Sequence, residues 1–299
     1  MTAAAATADK AQKQTAPATA SRGYWAGVLH RLMRNKLAMV CLAILLLIVL
    51  AAIFAPYIAP QDPYRGAMLR RLRPIGTPGY PLGTDELGRD MLTRLLYGGR
   101  LSLFIGIVPV LNAFVIGTAL GVIAGFVGGK TNMAIMRTID VFYAFPSVLL
   151  AIAISGALGA GILNSIISLT VVFVPPLARV AESVTTQTRS LDFVDAARAS
   201  GASALTIIRV HVLGNVMGPV FVYATSLVSV SMILAAGLSF LGLGVKPPEA
   251  EWGLMLNTLR TAIYSQPYVA ALPGAMIFAV SICFNLFSDA LRSAMDVKV

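Results

Sequence analysis

The chain has 299 residues, of which 57% are hydrophobic and only 12% are charged, with a formal net charge of +10. Soluble domains usually carry about 25% charged residues, and outer-membrane barrels show alternating runs of about ten residues that this sequence lacks, so both classes are excluded. Several apolar runs approach the ~20 residues that a helix needs to cross a bilayer, which predicts an all-α polytopic membrane protein whose basic residues mark cytoplasmic loops rather than a nucleic-acid-binding surface.

The N-terminal part of the chain changes composition twice before the first apolar run. Residues 1–23 are low in complexity and rich in Ala, Thr, Lys and Gln, which predicts a disordered cytoplasmic tail. Residues 24–36 are basic and amphipathic, as an interfacial helix would be. The run 37–58 is too long and too far from the start for a typical cleaved signal peptide. Residues 24–58 are therefore predicted to be an interfacial helix followed by the first transmembrane anchor.

The next segment, 59–98, is predicted to be extracytoplasmic or interfacial. Its cluster of acids is expected to cap and solvate a helix that begins near Thr84, because a calcium site would need more ligands at regular spacing. These acids are Asp85, Glu86 and Asp90. Leu87, Met91 and Leu95 recur at every fourth position, so the predicted helix would have one apolar face at the membrane interface.

Five more apolar runs predict a five-helix core over residues 99–291. The runs are 101–126, 139–157, 162–180, 216–238 and 268–291. With six spans both termini lie on one side, and 14 of the 23 lysines and arginines fall on that side. The positive-inside rule then makes both termini, the loop 186–215 and the tail 292–299 cytoplasmic. The seven arginines between residues 65 and 100 oppose this assignment.

Prolines recur within these runs, and each leaves a helical carbonyl without its N–H partner. They are Pro109, Pro146, Pro175, Pro176, Pro219 and Pro273. Fixed kinks and hinges along a moving pathway both remain open as explanations.

No catalytic or metal-binding pattern assembles. Residues 124–131, AGFVGGKT, match a loose phosphate-loop pattern, but they follow a transmembrane run instead of a strand, so this chain is expected to bind no ATP. His30 and His211 lie in different polar segments, and Cys41 and Cys283 lie in apolar runs, which predicts no metal site, triad or disulfide. The centres of the spans lack ionisable residues, which argues against a proton-driven carrier but leaves sodium sites built from carbonyls open.

One polar stretch, 192–215 (DFVDAARASGASALTIIRVHVLGN), interrupts the apolar runs. Asp192 is predicted to be the N-cap of a short helix, with Asp195 in the first turn, where the helix dipole favours negative charge. Gly201 is predicted to end that helix, and a second short helix is expected over 203–213. An ordinary amphipathic loop is the alternative.

The first of these helices would present a face of small side chains beside one aromatic ring. The face consists of Phe193, Ala196, Ala197 and Ser200. Such a face permits close approach to another protein surface. In the second helix, Leu205, Ile208 and Val212 are expected to lie together.

This stretch resembles the EAA loop of ABC-importer permeases, with Asp195-Ala196-Ala197 at the Glu-Ala-Ala position. Gly214 stands where that family usually has proline, so a helix break is expected there without a fixed φ. By resemblance, Phe193–Ser200 and the turn at Gly201 form a coupling helix that sits in a groove of an ATPase subunit. The resemblance assigns ATPase coupling to Asp192, Phe193, Asp195, Ala196, Ala197, Arg198, Ser200, Gly201, Ile208, His211 and Leu213.

Further motifs resemble the dipeptide/oligopeptide/nickel permease family, and its C-type subunit in particular. They are LGTDELGRD at 82–90, LSFLGLGVKPP at 238–248 followed by Trp-Gly, and a proline-glycine pair at 273–274. Ser288 departs from the glycine usual at its position. The motif residues assigned to the extracytoplasmic or interfacial side are Gly83, Thr84, Asp85, Gly88, Arg89, Asp90, Gly242, Gly244, Pro247, Pro248, Trp252 and Gly253.

The resemblance implies a multi-pass subunit of the bacterial inner membrane with the type I ABC importer permease fold. It implies a heterodimer with a second permease, two cytoplasmic ATPases that bind ATP and Mg²⁺, and an extracytoplasmic binding protein that meets the loops 56–80 and 245–264. The permease would bind no cofactor, catalyse no bond chemistry and work by alternating access. Peptides are the first expected substrate, ahead of nickel chelates, glutathione and opines. An ion-coupled secondary transporter is the alternative, and it should show an inverted repeat.

Overall fold

The computed structural model describes residues 24–295, so the predicted tail 1–23 and residues 296–299 lie outside the described residues. Within that range the named elements are all helical, and β-structure is limited to two isolated bridges. The helices are α1 (Tyr24–Arg34), α2 (Lys36–Ile53), α3 (Ala55–Ile58), α4 (Met91–Val127), α5 (Gly129–Tyr143), α6 (Ser147–Leu158), α7 (Ile162–Arg189), α8 (Asp192–Ala199), α9 (Ala204–Ile207), α10 (Leu213–Phe240), α11 (Trp252–Thr258) and α12 (Pro267–Met295). Shorter turns are the 3₁₀ helices Met68–Arg70 and Arg260–Tyr264 and the π turn Ile208–Val212.

Five helical stretches are long and apolar enough to cross a membrane: α2, α4, α7, the continuous rod Ala204–Phe240 and α12. A sixth span results if α5 and α6 are counted together, although they are bent by 88° at the break between them. The single helix predicted over 139–157 is therefore wrong. Pro146 explains the break, because it has no N–H to continue the helix and disfavours helical backbone at Phe145.

The tightest helix pair in the bundle joins α4 to α7 through a stripe of glycines. Gly117, Gly121 and Gly125 recur at every fourth position of α4. A Cβ at Gly121 would lie 2.6 Å from the Ala181 Cβ, and one at Gly125 would lie 2.7 Å from the Glu182 carbonyl oxygen. Small residues with this spacing let two membrane helices approach closely, since no side chain separates the backbones.

The remaining helices pack around α10 and α12. Ser288 of α12 donates a hydrogen bond to the Val222 carbonyl of α10 (3.0 Å), so the residue that departs from the usual glycine joins these two helices. The amphipathic α1 rests its buried Val28 on the end of α12, and Arg31 Nε donates to the Ala294 carbonyl at 2.7 Å. The predicted amphipathic segment is helical, and it packs Val28 and Leu32 against protein while Leu29 and Met33 stay exposed.

Candidate functional site

The polar segment, residues 190–213, joins α7 to α10 and begins with α8. The N-cap of α8 is Leu191, which makes no side-chain capping bond, so the prediction that Asp192 is the N-cap is wrong. Asp192 is instead the first helical residue. With Asp195 it still places negative charge in the first turn, where unpaired N–H groups favour it. Asp195 also forms a 3.0 Å ion pair with Arg198.

Three buried aliphatic side chains anchor the polar segment to the bundle. Val194, Ile207 and Val212 are each no more than 1% exposed and belong to the main apolar core. The sequence pattern had grouped Val212 with Leu205 and Ile208, yet Leu205 is 75% exposed and Ile207 takes the buried place. The buried valine within α8 was not singled out from the sequence either.

The outward side of α8 carries the aromatic side chain and the small residues. Phe193 is 42% exposed, and Ala196 and Ser200 are exposed as well. Ala197 is half-buried and packs against the core, so it belongs to the base of the predicted face. The Phe193 ring centroid lies 5.9 Å from that of His211, which supports the ring from behind.

A left-handed residue turns the chain after α8. Gly201 has φ +81°, a conformation that glycine adopts without steric cost. Its N–H donates to the Arg198 carbonyl at 3.0 Å, and the Ala202 N–H donates to the Ala197 carbonyl at 3.1 Å. These bonds satisfy the last carbonyls of the helix, as predicted for a C-terminal glycine. The side chain of Ser203 then caps α9.

The predicted second short helix is not a separate element. Residues 203–213 form the start of the rod Ala204–Phe240, and Gly214 lies inside its helical part, so the helix break expected at Gly214 is wrong. Glycine lowers helix stability by only about 1 kcal/mol and does not by itself end a helix that packs on both sides. The π turn Ile208–Val212 widens the helix locally, which is why a 3.6-residue period assigned the buried side chains incorrectly.

Arg198 of the polar segment and Arg189, the last residue of α7, both contact the end of α4. Arg189 Nη1 donates to the Phe126 carbonyl at 3.0 Å, and the Arg198 guanidinium lies 5.7 Å from the Phe126 ring centroid. After Phe126 the chain turns through Gly128, whose φ is +71°, into α5. Residues 124–131 are thus a helix–turn–helix, without the strand that a phosphate loop needs.

At the other end of α4, the first set of motif residues builds a compact loop. Thr84, Asp85, Arg89 and Asp90 are all buried. Asp85 Oδ2 lies 2.5 Å from Arg89 Nε and 3.2 Å from the Nε of the buried Arg94. The sequence pattern did not single out Arg94. These charges neutralise one another inside the loop, so their main contribution is to its folding.

The helix predicted to begin near Thr84 is not formed. Helix α4 begins at Met91, and its N-cap is Asp90, whose carboxylate accepts from the Thr93 N–H at 2.8 Å. Leu87 lies in the preceding turn, so the predicted amphipathic face does not exist. Gly88 has φ +73°, which is outside right-handed helical backbone, so no helix runs through it, and its missing side chain leaves room for the Ala67 carbonyl.

The remaining glycines of the motif permit close backbone contacts. A side chain at Gly83 would collide with the Arg73 carbonyl, and one at Gly244 with the Ser239 side chain. Gly242 has φ +81° directly after α10, and so turns the chain into the second loop.

That second loop centres on the fully buried Trp252. Its indole Nε1 donates to the Leu95 carbonyl at 2.9 Å, and its ring lies against the backbone of Gly98 and Gly99 in α4. Gly253 lets the loop touch the backbone of Ala236, since a Cβ there would lie 2.6 Å from two of its atoms. The loop therefore packs directly on two spans.

A buried carboxylate that sequence reasoning missed holds the start of α11. Glu251 is 2% exposed and accepts from the Gly253 and Leu254 N–H groups at 2.9 and 2.8 Å and from the Ser102 hydroxyl at 3.0 Å. The Ser102 oxygen in turn accepts from the Trp252 N–H at 3.0 Å. Glu is not among the usual N-cap residues, so no local signal marked this position in the sequence.

The two loops are also joined to each other. Arg94 donates to the carbonyls of Pro248 and Glu249 at 3.4 and 3.1 Å, and the peptide bond between Pro247 and Pro248 is cis. The Tyr64 hydroxyl donates to Glu249 Oε2 at 2.9 Å. This hydrogen bond raises the pKa of Tyr64, which keeps the hydroxyl protonated as a donor.

The polar segment and the motif loops lie at opposite ends of one helix. Thr93 in the first turn of α4 contacts Gln61 of the loop, whereas Phe126 in its last turn contacts the polar segment. At 1.5 Å per residue the 37-residue α4 is about 55 Å long. Within residues 24–295 no three His, Cys, Asp or Glu side chains are grouped as metal ligands.

The chain matches two protein-family models and is similar to known transport permeases. The model of the family described as "Binding-protein-dependent transport system inner membrane component" matches residues 117–298, and that of the "N-terminal TM domain of oligopeptide transport permease C" matches residues 23–74. The di/tripeptide transport system permease protein of Pseudomonas aeruginosa (strain UCBPP-PA14) is 41% identical over 92% of this chain and 91% of its own length. The glutathione transport system permease protein of Pectobacterium atrosepticum is 38% identical over 92% and 91%.

A solved structure shows the same fold. A chain from inward-facing conformations of the MetNI methionine ABC transporter superposes with a TM-score of 0.55 at 19% identity. The match covers 68% of this chain and 97% of that chain. The helical arrangement is thus shared with a chain of an ABC transporter.

Proposed function

Because the chain belongs to the family of binding-protein-dependent transport system inner-membrane components, a family of multi-pass ABC importer permeases, we propose that its polar segment is the element through which cytoplasmic ATPases drive transport. The observation that carries this proposal is the construction of α8. One side is fixed by the buried Val194, and the other presents Phe193 beside small side chains. An exposed aromatic on a rigid, closely approachable face is the kind of anchor that protein interfaces use.

The proposed assembly follows from this assignment. A second permease subunit would complete the pathway, two ATPases would bind ATP and Mg²⁺, and this chain would bind no cofactor. With the polar segment facing the ATPases, both termini are cytoplasmic and the motif loops 59–90 and 241–251 are extracytoplasmic, in agreement with the positive-inside rule.

Closure of the ATPases would displace α8, and its attachment to α4 and α7 would pass that displacement to the spans. The contacts between Phe126 and the two arginines, Arg189 and Arg198, provide the mechanical link. The pathway would then face alternate sides of the membrane as a rigid-body response. An ion-coupled carrier is not favoured, because the family works with binding proteins.

We propose di- and oligopeptides as the substrate, with glutathione as the next candidate. The support is the pair of relatives named for di/tripeptide and for glutathione transport. Calorimetric titration of the cognate binding protein with dipeptides, tripeptides and glutathione tests this assignment. Failure to bind any peptide would reject the substrate class and leave the role of the polar segment intact.

The coupling proposal is tested by Asp195→Arg and Gly201→Pro in the co-expressed complex. Proline cannot adopt φ +81°, and arginine at 195 reverses charge at the start of α8. Both variants should reach the membrane in normal amount yet lose ATPase co-purification and uptake. Asp62→Arg, an exposed acid at the opposite end of the bundle, is the control for charge reversal in the ATPase co-purification assay. Normal ATPase attachment in both test variants would reject the proposal.

A further inference from the structure

An arginine-lined cavity opens in the loop between α3 and α4. Its volume is about 890 Å³, and its lining includes the side chains of Arg65, Arg70 and Arg73. We call it the arginine pocket. All three arginines are exposed, so their charges face the opening and not the core.

The walls of the arginine pocket are fixed by the fold. The Gln61 side chain donates to the Gly79 carbonyl at 3.0 Å, and the Gln61 backbone N–H donates to the Thr93 hydroxyl of α4 at 3.3 Å. Arg70 Nη1 donates to the Tyr80 hydroxyl at 2.5 Å, and its guanidinium lies 5.6 Å from that ring centroid. At least one of the three cations is therefore held in place before any partner arrives, which lowers the entropic cost of binding.

The acidic residues of this region neutralise only part of the pocket, because one carboxylate stands against three arginines in its lining. Asp85 and Glu86 pair with Arg89, and Asp90 caps α4. Glu249 accepts the Tyr64 hydroxyl. Asp62 accepts the Tyr64 N–H at 2.7 Å and lines the pocket without forming an ion pair.

Among residues 24–295, the three arginines of the pocket make no salt bridge. Cytoplasmic loops normally carry the excess of Lys and Arg that sets the orientation of a membrane protein. Arginines in an extracytoplasmic loop reduce that excess. A cluster of uncompensated cations in such a loop points to a negatively charged partner.

The position of the pocket favours a protein over a lipid surface. The apolar run 101–126 is by itself long enough to cross the hydrocarbon core, and Thr93, which contacts the pocket wall, lies about 12 Å before its start. Beside the pocket the turn Met68–Arg70 exposes Met68 and, at 93%, Leu69. Apolar side chains bordered by arginines suit the centre of a protein interface.

We propose that the arginine pocket receives acidic side chains on the surface of the extracytoplasmic binding protein, with Leu69 as an apolar contact beside it. This inference rests on the proposed function, because it needs the loop to be extracytoplasmic. Beyond the proposed function, it identifies the cavity that binds the partner, the residues that line this cavity and the positive charge that they carry. Attraction of this kind speeds association and weakens as salt is added.

The test uses the complete transporter in nanodiscs and the cognate binding protein. The double variant Arg65→Glu/Arg73→Glu reverses two pocket charges and leaves the Arg70–Tyr80 contact in place. The matched control Arg65→Lys/Arg73→Lys changes the same two side chains and keeps both positive charges. We expect the pocket variant to bind at least about tenfold more weakly at low salt, the control less than about threefold, and the difference to shrink in high salt.

Two results would overturn the inference. One is an equal loss in both variants, or no loss in either. The other is unchanged binding-protein affinity together with loss of bound phosphatidylglycerol from the pocket variant, which would make the pocket a lipid site. ATPase co-purification is recorded in the same samples and should be normal in both variants. Failure of ATPase attachment in the unmodified transporter would instead count against the proposed function.

Discussion

The ring centroids of Phe193 and His211 lie 5.9 Å apart, so the exposed aromatic residue of α8 rests against the first turns of the rod that forms a membrane span. A force on this ring would therefore act on two elements at once.

Phe193→Ala should weaken attachment of the ATPases. Removing an aromatic anchor from an interface commonly costs about 1–4 kcal/mol, or roughly a fivefold to nearly thousandfold loss of affinity. The measurement is ATPase affinity for the permease pair in nanodiscs. Phe278→Ala, which removes an exposed phenylalanine from α12, is the control and should have little effect. Equal affinities in the two variants would contradict the role of Phe193.

Gly201→Ala should destabilise the turn after α8 by about 1–2 kcal/mol, because a Cβ is unfavourable at φ +81° even with open space around it. Gly201→Asn should cost less, since asparagine tolerates this conformation better. Gly214→Ala is the control. That glycine also has open space around it but is helical, so alanine should be neutral or stabilising. Thermal unfolding in detergent and uptake measure the three effects, and the prediction fails if all three behave alike.

The glycine stripe on α4 gives a third prediction. Gly121→Ala should lower stability by about 1–3 kcal/mol, because its Cβ would overlap α7 at Ala181 and at the Glu182 nitrogen. Gly156→Ala on α6, where no atom lies within 4 Å of the added carbon, should be tolerated. The midpoint of heat-induced loss of monodisperse protein compares the variants. If the Gly121→Ala protein were as stable as the Gly156→Ala protein, α4 and α7 could move apart without loss of stability.

Glu251→Gln should destabilise the loop that carries Trp252. The carboxylate accepts three hydrogen bonds with both oxygens, and an amide would turn one acceptor into a donor facing a donor. Loss of a buried acceptor costs about 1–3 kcal/mol. Glu249→Gln is the control, since its amide oxygen can still accept from the single partner Tyr64. Accessibility of Trp252 to a water-soluble quencher reports the change, and equal quenching would contradict the assigned role.

Hydropathy alone predicted most of the spans, because a bilayer requires long apolar helices whatever the tertiary fold. It could not predict the 88° break before Ser147, where the local rule for proline overrides a continuous apolar run. The Gly201 turn was predictable from local backbone chemistry. The buried Ile207 was not, because a π turn changes the period on which such predictions depend.

The motif loops show a second kind of feature that could not be predicted from the sequence. Residues 82–90 were recognisable as a motif, but the charges of Asp85 and Arg89 suggested a solvated helix start, whereas both side chains are buried in a folded loop. Arg94 and Ser102, which join that loop to the second one, stand in α4 more than 140 residues before their partners. Contacts over such sequence distances leave no local periodicity to detect.

Helix α4 contacts the first motif loop in its first turn and the polar segment in its last turn. Because it is about 55 Å long, a tilt of about 5° displaces one tip by about 5 Å relative to the other. Pro109 lies within α4, so a tilt passes between the polar segment and the arginine pocket only to the extent that the helix resists bending there. A protein bound at the arginine pocket and one bound at the polar segment would therefore act on the same helix from its two ends.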